Sequence, residues 1–207
     1  MRSTLATSVT HSHGTIESSE EVTTRSLVLV ALFTAIIVVL GLVPPVMVGF
    51  FPVPIHAQSL GVLLAGVVLG ARGGALSVLL LWVLVAVGLP VLSGGRGGLV
   101  VFLGPTAGYL VGFLPAAYVT GWLSSMTDDR IYDRRQLAAA FFLATTIGVV
   151  IDHVFGIAWL SFVAGLTLAE ATIGNLIFVP GDLIKGAIAA YVGVLLRTNF
   201  GNLSRIG

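Results

Sequence analysis

The sequence predicts an all-α fold: a polytopic membrane helical bundle of six transmembrane helices with both termini in the cytoplasm. Three observations carry this. Of 207 residues, 57% are hydrophobic and only 9% are charged, against about 25% charged in an ordinary soluble domain. So few charges cannot cover a water-exposed surface, so lipid must be the solvent for much of it. The apolar residues fall into six runs separated by short polar or Gly/Pro-containing breaks, and a spanning helix takes about 20 apolar residues. Finally, the arginines are distributed unevenly between the two sides of such a bundle.

The runs divide the chain as follows. Residues 1–25 are polar, Ser- and Thr-rich and carry Glu17, Glu20 and Glu21, and are expected to form a disordered cytoplasmic tail. His11 and His13 in that tail are too isolated to suggest a metal site. No basic start and short apolar core open the chain, so the tail does not read as a signal peptide. Residues 26–197 form the membrane domain, and 198–207 a short cytoplasmic C-terminal tail. The first span covers about 26–44 and stops at Pro44-Pro45; the second, about 57–71, is short; the third, about 74–90, stops at Pro90. After the loop Ser93-Gly94-Gly95-Arg96-Gly97-Gly98 comes the fourth span, about 99–124, interrupted by Gly104-Pro105. The fifth covers about 136–165 with a break near Gly156, and the sixth about 173–196 with Pro180-Gly181 inside it. Breaks of this kind are tolerated in a membrane where protein or water satisfies the freed backbone groups.

With the N-terminus inside, the cytoplasmic segments hold Arg2, Arg25, Arg72, Arg130, Arg134, Arg135, Arg197 and Arg205, and the outer loops only Arg96. The positive-inside rule selects this orientation.

Composition also excludes functions. Cysteine is absent, which removes disulfides, thiolate metal ligands and cysteine nucleophiles. There is no basic, aromatic-interleaved patch for nucleic acid and no phosphate-cradling loop of nucleotide-binding spacing. No set of metal ligands or catalytic residues with convincing spacing emerges.

Ionisable groups inside spans are costly and mark function. Asp182 and Lys185, the only lysine, are three residues apart on one face of the sixth helix. They offer carboxylate acceptors and ammonium donors, a set that suits a cyclic urea or amide, or else a structural ion pair. Asp152-His153 in the fifth span are adjacent and point in different directions, so they do not make one site; a structural role or a proton relay are the readings. Arg96 stands in the glycine loop, where a guanidinium can hold a carboxylate. His56 and Gln58 at the start of the second span, and Thr106 and Tyr109 after Gly104-Pro105, place further polar groups toward the outer face. Together these outline a pocket open to the outside.

Several of these stretches resemble the BioY family. They are Pro54-Ile55-His56-Ala57-Gln58-Ser59-Leu60, Gly88-Leu89-Pro90-Val91, Ser93-Gly94-Gly95-Arg96-Gly97-Gly98-Leu99, Leu103-Gly104-Pro105-Thr106-Ala107-Gly108-Tyr109 and Pro180-Gly181-Asp182-Leu183-Ile184-Lys185. His56-Ala57 departs from the family pattern, and Asp152-His153 matches no motif of it. The resemblance implies a biotin-binding S component of an energy-coupling factor (ECF) vitamin transporter in the plasma membrane. On that reading the chain captures extracellular biotin and is not an enzyme. It implies Asp182 and Lys185 at the ureido ring, with Arg96, Gln58, Ser93, Gly94 and Tyr109 as further pocket residues. Ala31 and Ala35, in Ala31-Leu32-Phe33-Thr34-Ala35, resemble the small-residue motif that contacts the coupling membrane protein. The implied partners are that protein, two ATPase subunits, biotin and membrane lipid; no cofactor and no nucleic acid are implied. The rival readings are an S component for another vitamin and an intramembrane enzyme using Asp152 and His153.

Overall fold

The computed structural model describes residues 13–47, 52–127 and 133–200, with side chains of the first helix described from Thr24 onward. It is all-helical: α1 (His13–Gly41), α2 (Gln58–Ala86), α3 (Ala107–Ser125), α4 (Arg134–Val163), α5 (Leu168–Asn175) and α6 (Val179–Phe200), with a short 3-10 turn at Leu99–Phe102. Thr24–Gly41, α2, α4 and α6 are each long and apolar enough to cross a membrane.

α2 is two helices in one. Gly70 has φ 76° and ψ −175°, a conformation open to glycine but not to residues with a Cβ. The chain reverses there. A Cβ on Gly74 would lie 2.9 Å from the Cα of Gly66, whereas eight residues of straight helix span about 12 Å. Gln58, at the start of α2, hydrogen-bonds Val91 and Ser93, just beyond its end. The legs Gln58–Leu69 and Ala71–Ala86 therefore run antiparallel, in place of the short span predicted over 57–71 and the next one over 74–90. The described residues thus hold six long helical legs: α1, the two of α2, α3, α4 and α6.

Small residues let these legs pack closely. A Cβ on Gly66 would lie 2.6 Å from the Ala117 carbonyl oxygen, and one on Gly121 would lie 2.6 Å from the Gly70 oxygen. Close backbone approach of this kind replaces the hydrophobic effect, which does not drive helix association in lipid. Polar clips add direction. Thr34 Oγ1 donates to Ser77 O (3.0 Å), joining α1 to α2, and Trp82 Nε1 donates to Leu110 O (3.1 Å), joining α2 to α3. The outer surface carries large apolar side chains such as Leu27, Leu32, Val39, Phe162 and Ile184, as a lipid-facing surface requires.

Helix ends follow local chemistry. Asp133 and Gln136 form a reciprocal capping box at the start of α4, and Thr167 and Glu170 do so for α5. Arg197 closes the other end of α3, donating to Ser124 O (3.0 Å) and Thr127 Oγ1 (2.8 Å).

Three expected boundaries change. The sixth span does not run through Pro180-Gly181: α5 ends at Asn175, and Pro180 lies in the first turn of α6, where its missing N–H costs nothing. α4 does not break at Gly156; the glycine stays helical, and its bare face accepts the Tyr109 ring. The fourth span does break at Gly104-Pro105, so its helical part is α3 alone, and Trp159 Nε1 on α4 secures the break by donating to Gly104 O (2.9 Å). α1 begins at His13, inside the segment read as a tail. Residues 1–12 and 201–207 lie outside the described residues, as do Arg2, His11, Arg130 and Arg205.

Candidate functional site

The polar residues converge at the end of the bundle where α1 ends, α2 both starts and returns, and α6 begins. Asp182 stands in the first turn of α6, where the helix dipole favours a negative charge. Its two carboxylate oxygens are held separately. Lys185 Nζ, one turn along α6, donates to Oδ1 at 2.8 Å, and His153 Nε2, from α4, meets Oδ2 at 2.9 Å. All three side chains are less than one-fifth exposed. Lys185 also donates to Ser59 Oγ of α2 at 3.1 Å, and Ser59 lies 3.5 Å from Asp182 Oδ1. Three helices therefore meet at one carboxylate. Two donors and a paired charge offset the cost of keeping it away from water.

Above this group, Tyr109 Oη donates to Asn175 Oδ1 at 3.0 Å, and its ring stands edge-on to His153 with centroids 6.4 Å apart. Adjoining cavities surround these residues. One, of about 300 Å³, is lined by His56, Ser59, Tyr109, Asp152, Asp182 and Lys185 among others. A second, of about 380 Å³, is lined by His56, Gln58, Arg96, Thr106, Tyr109 and Phe113 among others. A third, of about 240 Å³, reaches deeper between Ser59, Leu63, Phe113, Val149 and Asp152. Shared walls make them one polar-ended, apolar-sided recess, the usual form of a small-molecule site.

The glycine loop closes the recess. Gly94, Gly95 and Gly98 have positive φ (79°, 69° and 82°), so the sequence there suits a tight turn. Leu92 N donates to Arg96 O and Gly95 N to Leu92 O, winding the loop on itself. Arg96 is half-buried; its Nε donates to Ser93 O (3.1 Å) and its Nη1 to Thr106 Oγ1 (2.9 Å). This uses two of the five guanidinium donors. Burial lowers the Arg96 pKa from its ordinary value.

Gln58 lines the recess but is occupied. Its Nε2 donates to Ile37 O (3.3 Å) and Val91 O (3.0 Å), while its Oε1 accepts from Ser93 N (2.8 Å). It ties the end of α1 and the glycine loop to the start of α2. Ser93 is buried beside it with an Oγ that has no partner, and Gly94 is exposed. His56 faces the same space with an unpartnered buried Nδ1. Burial first, then the nearby Lys185 charge, pull its pKa down to about 4, against the opposing pull of Asp182.

The predicted site residues Asp182, Lys185, Arg96, Gln58 and Tyr109 therefore gather around one recess; Ser93 is buried beyond Gln58 and Gly94 is exposed on the loop, and neither lines it. Ala31 and Ala35 do not belong to it; both lie exposed on α1. Sequence reasoning missed two contributors. Ser59 gave no signal beyond its place next to Gln58. His153 stood out as an ionisable residue in a span, yet its partner is Asp182 of another helix, which spacing along the chain cannot show. Its neighbour Asp152, expected from their adjacency to fall outside any shared site, lines the same recess as His153 and Asp182; it is buried with Oδ1 unpartnered, in space that Gly112 leaves free.

Known proteins agree with this architecture. The chain is 56% identical over 171 residues to the biotin transporter BioY of Rhizobium etli, covering 82% of this chain and 91% of that one. It is 49% identical over 183 residues to the biotin transporter BioY of Rhodobacter capsulatus, covering 84% and 92%. Its fold is similar to the crystal structure of the S-component for biotin from an ECF-type ABC transporter, with a TM-score of 0.79 at 35% identity, over 86% of this chain and 94% of that one. The sequence profile of the BioY family matches residues 13–202, which takes in all six helices and every residue around Asp182, and the chain belongs to that family.

Proposed function

We propose that this multi-pass plasma-membrane protein binds biotin as the S component of an ECF-type transporter, and that its task is capture rather than chemistry. The observation that carries the reading is the Asp182 carboxylate, held by Lys185 at 2.8 Å and His153 at 2.9 Å at the floor of an apolar-walled recess. A cyclic urea presents N–H donors and a carbonyl acceptor side by side. Asp182 accepts from the former and Lys185 donates to the latter. The apolar walls, including Phe113 and Val53, take the sulfur ring and the aliphatic chain. The ligand carboxylate lies toward Arg96, whose unused donors suit it. Desolvating such a ligand is tolerable only where each lost hydrogen bond is replaced, which is why charged groups persist here inside an apolar bundle.

The arginine distribution supports cytoplasmic termini. Arg72 adjoins the α2 reversal, and Arg134 and Arg197 sit where α3 ends and α4 begins, all at the end opposite Arg96. The recess then opens outward, as capture of external biotin needs. Ala31 and Ala35, exposed one turn apart on α1, offer a flat surface for the coupling membrane protein, which with two ATPases completes the transporter.

Equilibrium binding to purified protein tests the reading. The wild-type chain binds biotin in preference to thiamine or riboflavin. Asp182→Asn and Lys185→Ala each weaken binding by about 3 kcal/mol or more, the usual cost of stranding one member of a buried charged pair. Preference for another vitamin, or undiminished biotin binding in both variants, defeats the proposal.

A further inference from the structure

We propose that His153 is the positioning residue of the ligand site: from α4 it sets the orientation of the Asp182 carboxylate, and so the site's preference for a ligand with free N–H donors. This inference rests on the biotin reading above.

The two donors to Asp182 are not equivalent. Lys185 lies on the same helix three residues on, and its own tie to another helix, the 3.1 Å bond to Ser59 Oγ of α2, holds the ammonium rather than the carboxylate. The Ser59 contact to Asp182, at 3.5 Å, is at the limit of a useful hydrogen bond. The 2.9 Å bond from His153 Nε2 is the strong tie between Asp182 and another helix. An ionised carboxylate can only accept, so Nε2 is the donor in this bond. Such charge-assisted bonds are short and directional.

The imidazole is itself held. Its ring stands edge-on to Tyr109 of α3 at 79°, and Tyr109 is bonded to Asn175 at the end of α5. Four helices thus contribute to where the two Asp182 oxygens point. With Oδ2 tied to α4 and Oδ1 tied to Lys185, the remaining lone pairs face the recess at fixed positions. A ligand N–H finds an acceptor already in place, and a ligand with a methyl group there meets an oxygen that cannot turn aside.

The test uses the full chain in detergent and two ligands, biotin and biotin methylated on one ureido nitrogen. In His153→Leu, biotin affinity falls about 10- to 100-fold, the range for a lost hydrogen bond to a charged group. The methylated ligand loses less, so the ratio of the two affinities shrinks. His153→Gln, which restores an N–H donor, recovers most of both the affinity and the ratio. A merely structural role for His153 lowers both ligands alike and leaves the ratio unchanged. Wild-type affinity in His153→Leu, or an equal loss for both ligands with no recovery in His153→Gln, overturns the proposal. Absence of biotin binding by the wild type is a separate result, which removes the functional reading itself.

Discussion

Replacing Gln58 with leucine separates a wall-builder from a ligand contact. The two side chains have similar volume, so Gln58→Leu leaves little cavity and removes chiefly polar atoms. In the folded protein those atoms serve three backbone groups: Ile37 O at 3.3 Å, Val91 O at 3.0 Å and Ser93 N at 2.8 Å. The residue is 2% exposed, so water cannot easily take over. Each bond contributes about 1 kcal/mol net, and each stranded group costs about 1–3 kcal/mol. The expected loss is about 3 kcal/mol, and nearer 6 if none of the three finds a new partner. For a chain of this size 3 kcal/mol lowers the unfolding midpoint by about 6–12 °C. The assay is thermal unfolding of the purified protein without ligand and with saturating biotin. The midpoint falls in both conditions by a similar amount, because the glycine loop is loosened whether or not ligand is present. If instead the ligand-free midpoint is unchanged and only the stabilisation by biotin disappears, Gln58 acts through the ligand and the structural reasoning is wrong.

Other expectations follow from the same geometry. Gly121→Ala puts a Cβ 2.5 Å from Ala71 N and 2.6 Å from Gly70 O. This is rigid backbone at the α2 reversal, so stability falls by about 3 kcal/mol, whereas Gly104→Ala, with its nearest neighbour at 3.8 Å, changes it by less than about 0.5 kcal/mol; equal unfolding midpoints refute this. His56, at about 4 when folded and about 6.5 when unfolded, binds fewer protons folded than unfolded between these values. Stability therefore falls as pH drops from 6.5 toward 4 and is indifferent to His56 above 6.5. His56→Gln flattens that part of the profile, and an unchanged slope rules the residue out as its source. Tyr109→Phe removes the 3.0 Å bond to Asn175 Oδ1 while keeping the ring against His153. Biotin affinity then falls by about 1 kcal/mol or less, and a loss as large as that of Asp182→Asn would show that the hydroxyl itself meets the ligand.

Much of the fold was written in hydropathy. Apolar runs and Gly/Pro breaks located the helical legs, including the two short ones on either side of Gly70, because span length and backbone satisfaction in lipid are local constraints. Boundaries near proline were harder. Pro180-Gly181 looked like a break inside a helix and is instead its first turn, since proline suits either setting and the capping that ends α5 and starts α6 is decided by packing. Asp182 and Lys185 were readable as a pair because three residues on one helix share a face. His153 was not, because its bond to Asp182 joins residues 29 positions apart. Gln58 was legible as a buried amide, but its three backbone partners come from α1 and the glycine loop, which no spacing rule brings together.

The reversal at Gly70 sets the length of the helical leg that leads up to the recess. At 1.5 Å per residue the Gln58–Leu69 leg is about 18 Å long, against a hydrocarbon core of about 30 Å. The shortfall of about 12 Å is where irregular chain, from Val53 to Ala57 and from Leu92 to Arg96, takes the place of helix around the recess. Such backbone is stable at that depth only when it lines a protein-walled space. The truncated leg thus leaves room at this end of the bundle for the recess that these segments wall.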